Sequence, residues 1–242
     1  LCNPQQSNQR LSRVTQEQFL QDYLPKFLKV VLDPDYPEDS WADLAMAPGR
    51  AAPDRLYDRP VLTNLVVPSS RRHWVFRAGV GGASYQASPG LSLTTCLQFR
   101  ECGGAWRSPP FPTVLRLSWG QPASTLSFSL GSLDLSNFRS LQLRLAWVQP
   151  NSINPSQAPL AVVLRDRRGT AVRVDIPATA PAFHSLATDP STALPPVTYP
   201  SALRIPLGQF RGLDLTSIVS LELHLNDSPQ GLLDLATIEF IR

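Results

Sequence analysis

The chain has 242 residues, 43% of them hydrophobic and 17% charged, with a formal net charge of +3. That length buries a sizeable core as one large domain, alone or with an appendage, and 24 prolines, about twice the usual share, announce loops and short strands. No run of about 18 apolar residues occurs and no charged-then-apolar start, so neither a membrane span nor a signal peptide is visible. Of the 22 basic residues only Lys26 and Lys29 are lysines. The arginines are scattered between apolar positions without an aromatic-rich basic stripe, so no nucleic-acid partner is expected.

The chain opens at Leu1-Cys2, as a fragment or a mature piece would. Over residues 14–32, Phe19, Leu20, Tyr23, Leu24, Phe27, Leu28 and Val31 recur at spacings of three and four, which predicts an amphipathic helix. Ser12 or Thr15 would cap it, and Pro25 would kink it or start a second helix. The helical segment therefore takes residues 1–33, and residues 34–60 read as a Pro-rich linker with one short helical turn from Trp41 to Ala47. From Val61 to Arg242 the style changes. VLTNLVV, HWVFRA, LSLTTCLQF, TVLRLSW, STLSFSL, SLQLRLAWV, LAVVLRD, AVRVDI, ALRIPL, SLELHL and LATIEFIR are short alternating stretches divided by Pro, Gly, Ser and Asp. Roughly nine to eleven strands with no long helix between them predict a mainly β fold, a two-sheet antiparallel jelly-roll-like sandwich preceded by the N-terminal helix.

Inside this β region one phrase occurs twice. LDLSNFRSLQLRL at 133–145 and LDLTSIVSLELHL at 213–225 share seven of thirteen positions. Each Asp-Leu-Ser/Thr can form a tight polar turn before an alternating strand. Leu141, Leu143 and Leu145 are expected to match Leu221, Leu223 and Leu225 as inward-facing core. Two copies are too few for a solenoid.

Candidate chemistry is sparse. No Gly-x-Ser-x-Gly elbow occurs, and GGASYQ and LGSLDL each lack the second glycine. The histidines His73, His184 and His224 are far apart in sequence, nothing singles out a glycosidase pair among the 19 acidic residues, and no catalytic residue is assigned. Asp134, Asp214 and Asp234 share the grammar Leu-Asp-Leu, so they are the metal candidates: a structural calcium ion could sit on such acidic turns, against the plainer reading of turn formation. Trp74, Trp106, Trp119 and Trp147 lie in or beside strands, where a ring is either core or a stacking platform. Trp147 precedes the loop QPNSINPSQ, whose Asn151 and Asn154 offer amides, so these three residues are the ligand-binding candidates. Cys96 and Cys102 frame CLQFREC without a nearby histidine, which favours a small-loop disulfide over a zinc site and, with it, an oxidising compartment. Cys2 is left over.

The order of RLSRVTQEQFLQDYLPKFLKVVL, a Pro-rich linker, LSLTTCLQFRECGGAW, LAVVLRDRRGTAVRV, LRIPLGQFRGLDLTSIVSLELHL and QGLLDLATIEFIR resembles the C-terminal part of large secreted bacterial α/β hydrolases of the polyester-hydrolase-like type. The resemblance implies that the helix is the last one of a catalytic domain and that the rest is a sandwich of carbohydrate-binding-module or galactose-binding-like type. In that family the nucleophile, acid and histidine all precede the final helix, so none maps onto this chain. The function so implied is a secreted accessory module that stabilises the upstream α/β hydrolase domain or brings it to a polymer or carbohydrate. A free-standing carbohydrate-binding or cell-surface structural protein is the alternative, and an enzyme with its site in the sandwich is a third reading.

Overall fold

A computed structural model describes residues 12–33, 47–53, 55–57, 59–61, 65–97, 113–148, 158–183, 200–225 and 230–242. Helix α1 runs over Arg13–Leu32, with the Ser12 hydroxyl accepting the Thr15 amide at 3.1 Å as its cap. It continues through Pro25, whose ring removes one backbone donor without dividing the element. Phe19, Tyr23 and Phe27, four apart, stack at 5.6 and 5.9 Å between centroids. Tyr57, in the turn of a small hairpin of β1 (Arg55–Leu56) and β2 (Arg59–Pro60), packs edge-on against Phe19 at 5.7 Å. Leu20, Leu24 and Leu28, on the neighbouring ridge of the helix, are each nearly half exposed. The helical turn expected at Trp41–Ala47 falls, but for Ala47, outside the described residues.

The remaining strands are β3 (Arg72–Arg77), β4 (Tyr85–Ala87), β5 (Leu91–Cys96), β6 (Val114–Trp119), β7 (Ser124–Leu133), β8 (Ser140–Trp147), β9 (Leu160–Asp166), β10 (Ala171–Ile176), β11 (Ser201–Pro206), β12 (Ile218–Leu225) and β13 (Gly231–Ile241). They form a five-stranded sheet in the order β10-β9-β12-β7-β4 and a six-stranded sheet in the order β11-β8-β13-β6-β5, with β3 joining the latter beside β13. Strands β6 and β3 share one edge of β13 in tandem, β6 along Gly231–Leu235 and β3 along Thr237–Ile241. All described pairings are antiparallel, as short loops between alternating strands require. The architecture is the antiparallel sandwich that the alternation predicts.

The two copies of the repeated phrase lead into β8 and β12, which lie in opposite sheets. Leu141, Leu143 and Leu145 and their counterparts Leu221, Leu223 and Leu225 have no exposed surface and share one core. The turns ahead of them are bonded to each other, the Leu135 amide to the Leu215 carbonyl at 2.7 Å. The repeat thus supplies the same turn and the same inward face once to each sheet.

Two stretches depart from the expected pattern. Of VLTNLVV, Leu65 and Val67 lie in an irregular segment, buried with Ile241 on the outer face of the six-stranded sheet. Part of the stretch read as linker is packed as well: Ala47 is buried, and its carbonyl accepts a 2.8 Å bond from Arg204.

Candidate functional site: an arginine-rich cleft on the six-stranded sheet

The outer face of the six-stranded sheet carries its polarity in rows fixed by register. Arg204 on β11, Gln142 on β8, Glu239 on β13 and Trp74 on β3 are successive cross-strand neighbours. Gln142 Nε2 donates to the Leu65 carbonyl at 2.8 Å and to Glu239 Oε1 at 2.9 Å, while Arg204 Nε donates to Gln142 Oε1 at 3.4 Å. Glu239 Oε2 lies 3.8 Å from the Arg72 guanidinium. Segments 47–53 and 65–68 cover this row at the β11 end, so Arg204, Gln142 and Glu239 are buried. Burial pushes the Arg204 guanidinium down to about 10. It also pushes the Glu239 carboxyl up, against the Gln142 hydrogen bond and the charges of Arg72 and Arg144.

Towards β3 the cover ends and the face opens into a cleft of about 400 Å3, lined by Arg72, Trp74, Arg77, Arg144 and Thr237, with Leu97 and Val80 at its rim. Two irregularities aim these side chains. Opposite Ile238 and Glu239, β3 carries one extra residue, Val75, so Trp74 turns outward with Glu239 while Val75 and Phe76 pack inward and Arg77 returns to the outer face. Opposite Leu145 and Arg144, β13 carries the extra Ala236, which sets Thr237 beside Arg144. After β3, a turn closed by the Val80 amide on the Arg77 carbonyl at 3.1 Å brings Gly79 against Thr113. Gly79 has φ +76°, and a Cβ there would stand 2.9 Å from the threonine methyl, so the rim needs a glycine.

Within the cleft, the Arg72 guanidinium lies 4.5 Å from the Trp74 ring centroid and that of Arg77 5.8 Å, both within cation–π range. Arg77 makes no ion pair among the described residues. The Thr237 hydroxyl and Arg72 Nε are buried without a hydrogen-bond partner, and such atoms call for an explanation. Leu97 and Val80 are each about half exposed. The cleft therefore sets hydrogen-bond donors, a hydroxyl and apolar side chains next to one another. Sequence reasoning passed over it because strict alternation in HWVFRA groups Trp74 with the core residue Phe76 and gives no hint of the Val75 bulge.

The residues singled out from sequence lie elsewhere. Trp147 is fully buried on β8, edge-on to Trp119 at 5.4 Å and to Phe183 at 5.5 Å. A ring inside the sandwich has no face to offer a ligand, so Trp147 is a core residue and not a platform. Asn151 and Asn154 fall outside the described residues. Asp134 and Asp214 are turn residues, with Asp134 Oδ1 accepting the Ser136 amide at 2.9 Å and Asp214 Oδ1 the Thr216 amide at 3.1 Å and hydroxyl at 2.6 Å. Hydrogen bonds from Ser136 and Thr216 hold these two carboxyls below the ordinary range. Asp234 is fully buried on β13, and Arg116, directly opposite on β6, donates to both its oxygens at 2.7 and 2.8 Å. No three His, Cys, Asp or Glu side chains converge as a metal site among the described residues. The acidic candidates are accordingly turn and ion-pair residues.

Cys96 is fully buried beside Val114 and Ala236 at the end of β5, and Cys102 falls outside the described residues. His224 pairs with Glu222 at 2.8 Å on the outer face of the five-stranded sheet, and among the described residues no hydroxyl is bonded to it. His73 stands edge-on to Phe138, and His184 falls outside the described residues. No described helix is long and apolar enough to cross a membrane.

No protein-family model matches the chain, and neither does any curated protein sequence. Solved structures with a similar course of chain include a family 11 carbohydrate-binding module from Clostridium thermocellum in complex with a β-1,3-1,4-mixed-linked tetrasaccharide, at 14% identity and TM-score 0.42, covering 71% of this chain and 94% of that one. A family 30 carbohydrate-binding module of a cellulosomal cellulase of the same organism overlaps at 12% identity and TM-score 0.42, covering 70% and 96%. A xylan-binding module from Roseburia intestinalis does so at 10% and 0.32, covering 66% and 95%. At these values the overlap is partial, and the sandwich is established by the strand order itself.

Proposed function

We propose that the chain is a secreted, non-catalytic β-sandwich module that binds a carbohydrate polymer, and that it accompanies an α/β hydrolase domain. The observation that carries the binding reading is the amphipathic cleft at Trp74. A pyranose presents C–H patches and hydroxyls side by side, and Leu97 and Val80 meet the first while Arg77 and Arg144, set about the Trp74 indole, meet the second. Its volume, about 400 Å3, lies in the ~300–1,000 Å3 range of small-ligand sites. The test is binding of the full chain to a panel of soluble and insoluble polysaccharides, with Trp74→Ala as the site control. Retention on at least one polymer, lost in the variant at unchanged fold, is the expected result; retention on none, or retention indifferent to Trp74, counts against it.

The exposed ridge of Leu20, Leu24 and Leu28 supports seating a hydrolase domain on α1, because an apolar stripe of that length on an amphipathic helix calls for a cover. A reading frame upstream of Leu1 that encodes Gly-x-Ser-x-Gly followed by an acid and a histidine is the expected finding. A disulfide between Cys96 and Cys102 belongs to the same reading, since it needs an oxidising compartment; two alkylatable thiols without reduction would remove it.

A further inference from the structure

We infer that the chain pairs with a second copy of itself through the free edge of β10, so that the two five-stranded sheets join into one. The first ground is the edge itself. Strand β10 pairs with β9 alone. The Asp166 amide bonds to the Thr170 carbonyl and the Arg167 amide to the Ser217 carbonyl, each at 2.9 Å, so even-numbered positions of β9 turn towards β10 and odd-numbered ones towards β12. The register of β9 and β10 is continuous, and it sets Val172, Val174 and Ile176 against β9 while Ala171, Arg173 and Asp175 turn their amides and carbonyls outward. Among the described residues no hydrogen-bond partner meets those outward groups. Other edges are guarded: β4, at the far end of the same sheet, is three residues long, and β11 carries Pro206 and is bonded through Arg204 to Ala47. Strand β10 runs six residues with neither a bulge nor a proline inside it.

The second ground is a register that charge selects. Outward groups bond across an antiparallel pair only when odd positions meet odd positions, which leaves two copies of β10 a few alignments. In the one centred on Val174, Arg173 of each copy stands opposite Asp175 of the other, and the two pairs exchange four backbone hydrogen bonds. Shifting by two residues in either direction sets Arg173 against Arg173 or Asp175 against Asp175, like charges directly opposite. The side chains are already poised: Arg173 Nε lies 2.7 Å from Asp175 Oδ1 within the strand, and both side chains stay about half exposed. A second copy closes two such pairs into an alternating ring of four charges. On the inner face the same alignment sets Val174 against Val174 and Val172 against Ile176. Val172 and Val174 are only partly buried, and a largely apolar cleft of about 430 Å3 bordered by Val174, Ile176, Ala52, Leu203 and Ile205 lies alongside. The added strand's valines thus cover apolar surface that otherwise meets water. One strand from each copy makes a small interface, which fits a reversible dimer and not an obligate one.

The experiment is sedimentation equilibrium of the full chain from about 1 µM to 1 mM, with thermal midpoints as the fold control. The native chain should form a reversible dimer. Arg173→Asp opposes Asp to Asp at both pairs and Asp175→Arg opposes Arg to Arg, so each variant alone should self-associate about tenfold more weakly. An equimolar mixture of the two variants should dimerise as the native chain does, because every cross-strand pair is again of opposite charge. No fold defect produces that recovery. Val174→Cys should yield a covalent dimer under mild oxidation, with the bridge mapped to position 174 by mass spectrometry, since residues facing each other at a non-hydrogen-bonded position stand about 4.5 Å apart at Cα. A monomer at every concentration overturns the inference. So does a dimer equally strong in both variants; if that dimer dissociates in Leu24→Glu, the exposed ridge of α1 holds it instead. Weakening in both variants without recovery in the mixture overturns the register and the pairing that depends on it.

Discussion

Trp147 stands one alternation beyond Leu145, and in a strand that parity decides which side of the sheet a ring occupies. Leu141, Leu143, Leu145 and Trp147 all point inward, so the period that identifies the core already contained the ring's address. The neighbouring polar loop drew attention outward, but a loop constrains its own backbone, not the parity of the strand before it. Trp147→Ala should cost about 3–5 kcal/mol in urea unfolding, as expected for a large ring removed from a closed core. A loss below 1 kcal/mol would mean that the ring lies in a site able to relax or to admit water. Asp234 teaches the complementary lesson, because an acidic residue in a Leu-Asp-Leu phrase looks like its two namesakes until its strand is known. Its partner Arg116 lies 118 positions away, and only the β6–β13 register brings them opposite. Asp234→Ala leaves the largely buried guanidinium without its counter-charge and should cost about 3–5 kcal/mol, with Asp234→Asn falling between it and the native chain. If Ala and Asn variants unfold at the same denaturant concentration as the native protein, the pair contributes nothing.

At the scale of elements, ten of the stretches read as strands are strands, because alternation survives wherever one face is wet and the other buried. VLTNLVV is instructive in its described part: Leu65 and Val67 cover the outer face of a sheet instead of joining one, and hydrophobicity alone does not separate those uses. Strand β4 is three residues long and falls below what periodicity can register. The bulges at Val75 and Ala236 were illegible because an inserted residue has no composition of its own, and they build the cleft. The turn after β9 offers a measurable case of local chemistry. Asp166 is almost wholly buried, and its carboxylate accepts amides of Arg168 and Thr170, each at 2.9 Å, and of Asp214 at 3.1 Å. Burial pushes this carboxyl up, but the amides of Asp214, Thr170 and Arg168 outweigh it and hold the group below its ordinary 3.8. A carboxylate depressed in the folded state adds stability above its unfolded value and loses it as pH falls through the folded one. Asp166→Asn should therefore be most destabilised relative to the native protein above about pH 4, with the gap closing towards pH 2. Urea midpoints measured across that range would show a constant gap if the charge were irrelevant.

For the whole molecule, the main question is how far one cooperative unit extends. Strands β8 and β12 belong to different sheets, yet their leucines share a single cluster, so opening one sheet exposes the other. Helix α1 is held differently. Its described ring contacts run to Tyr57 in a two-residue hairpin, aided by Lys26 over the same ring at 4.9 Å, and its leucine ridge faces solvent. Isolated helices of this length are marginal in water, and packing of the apolar face supplies most of their stability. Hydrogen exchange should separate the two: amides of β8, β12 and β13 should exchange only with global unfolding, and those of α1 through a local opening of much lower free energy. Leu143→Ala and Leu223→Ala should each lower protection throughout both sheets, since the core is shared, while leaving α1 unchanged. Protection of α1 equal to that of β12, falling with it in both variants, would show that the helix is part of the sandwich and would deprive the exposed leucines of their reading as a seat for another domain.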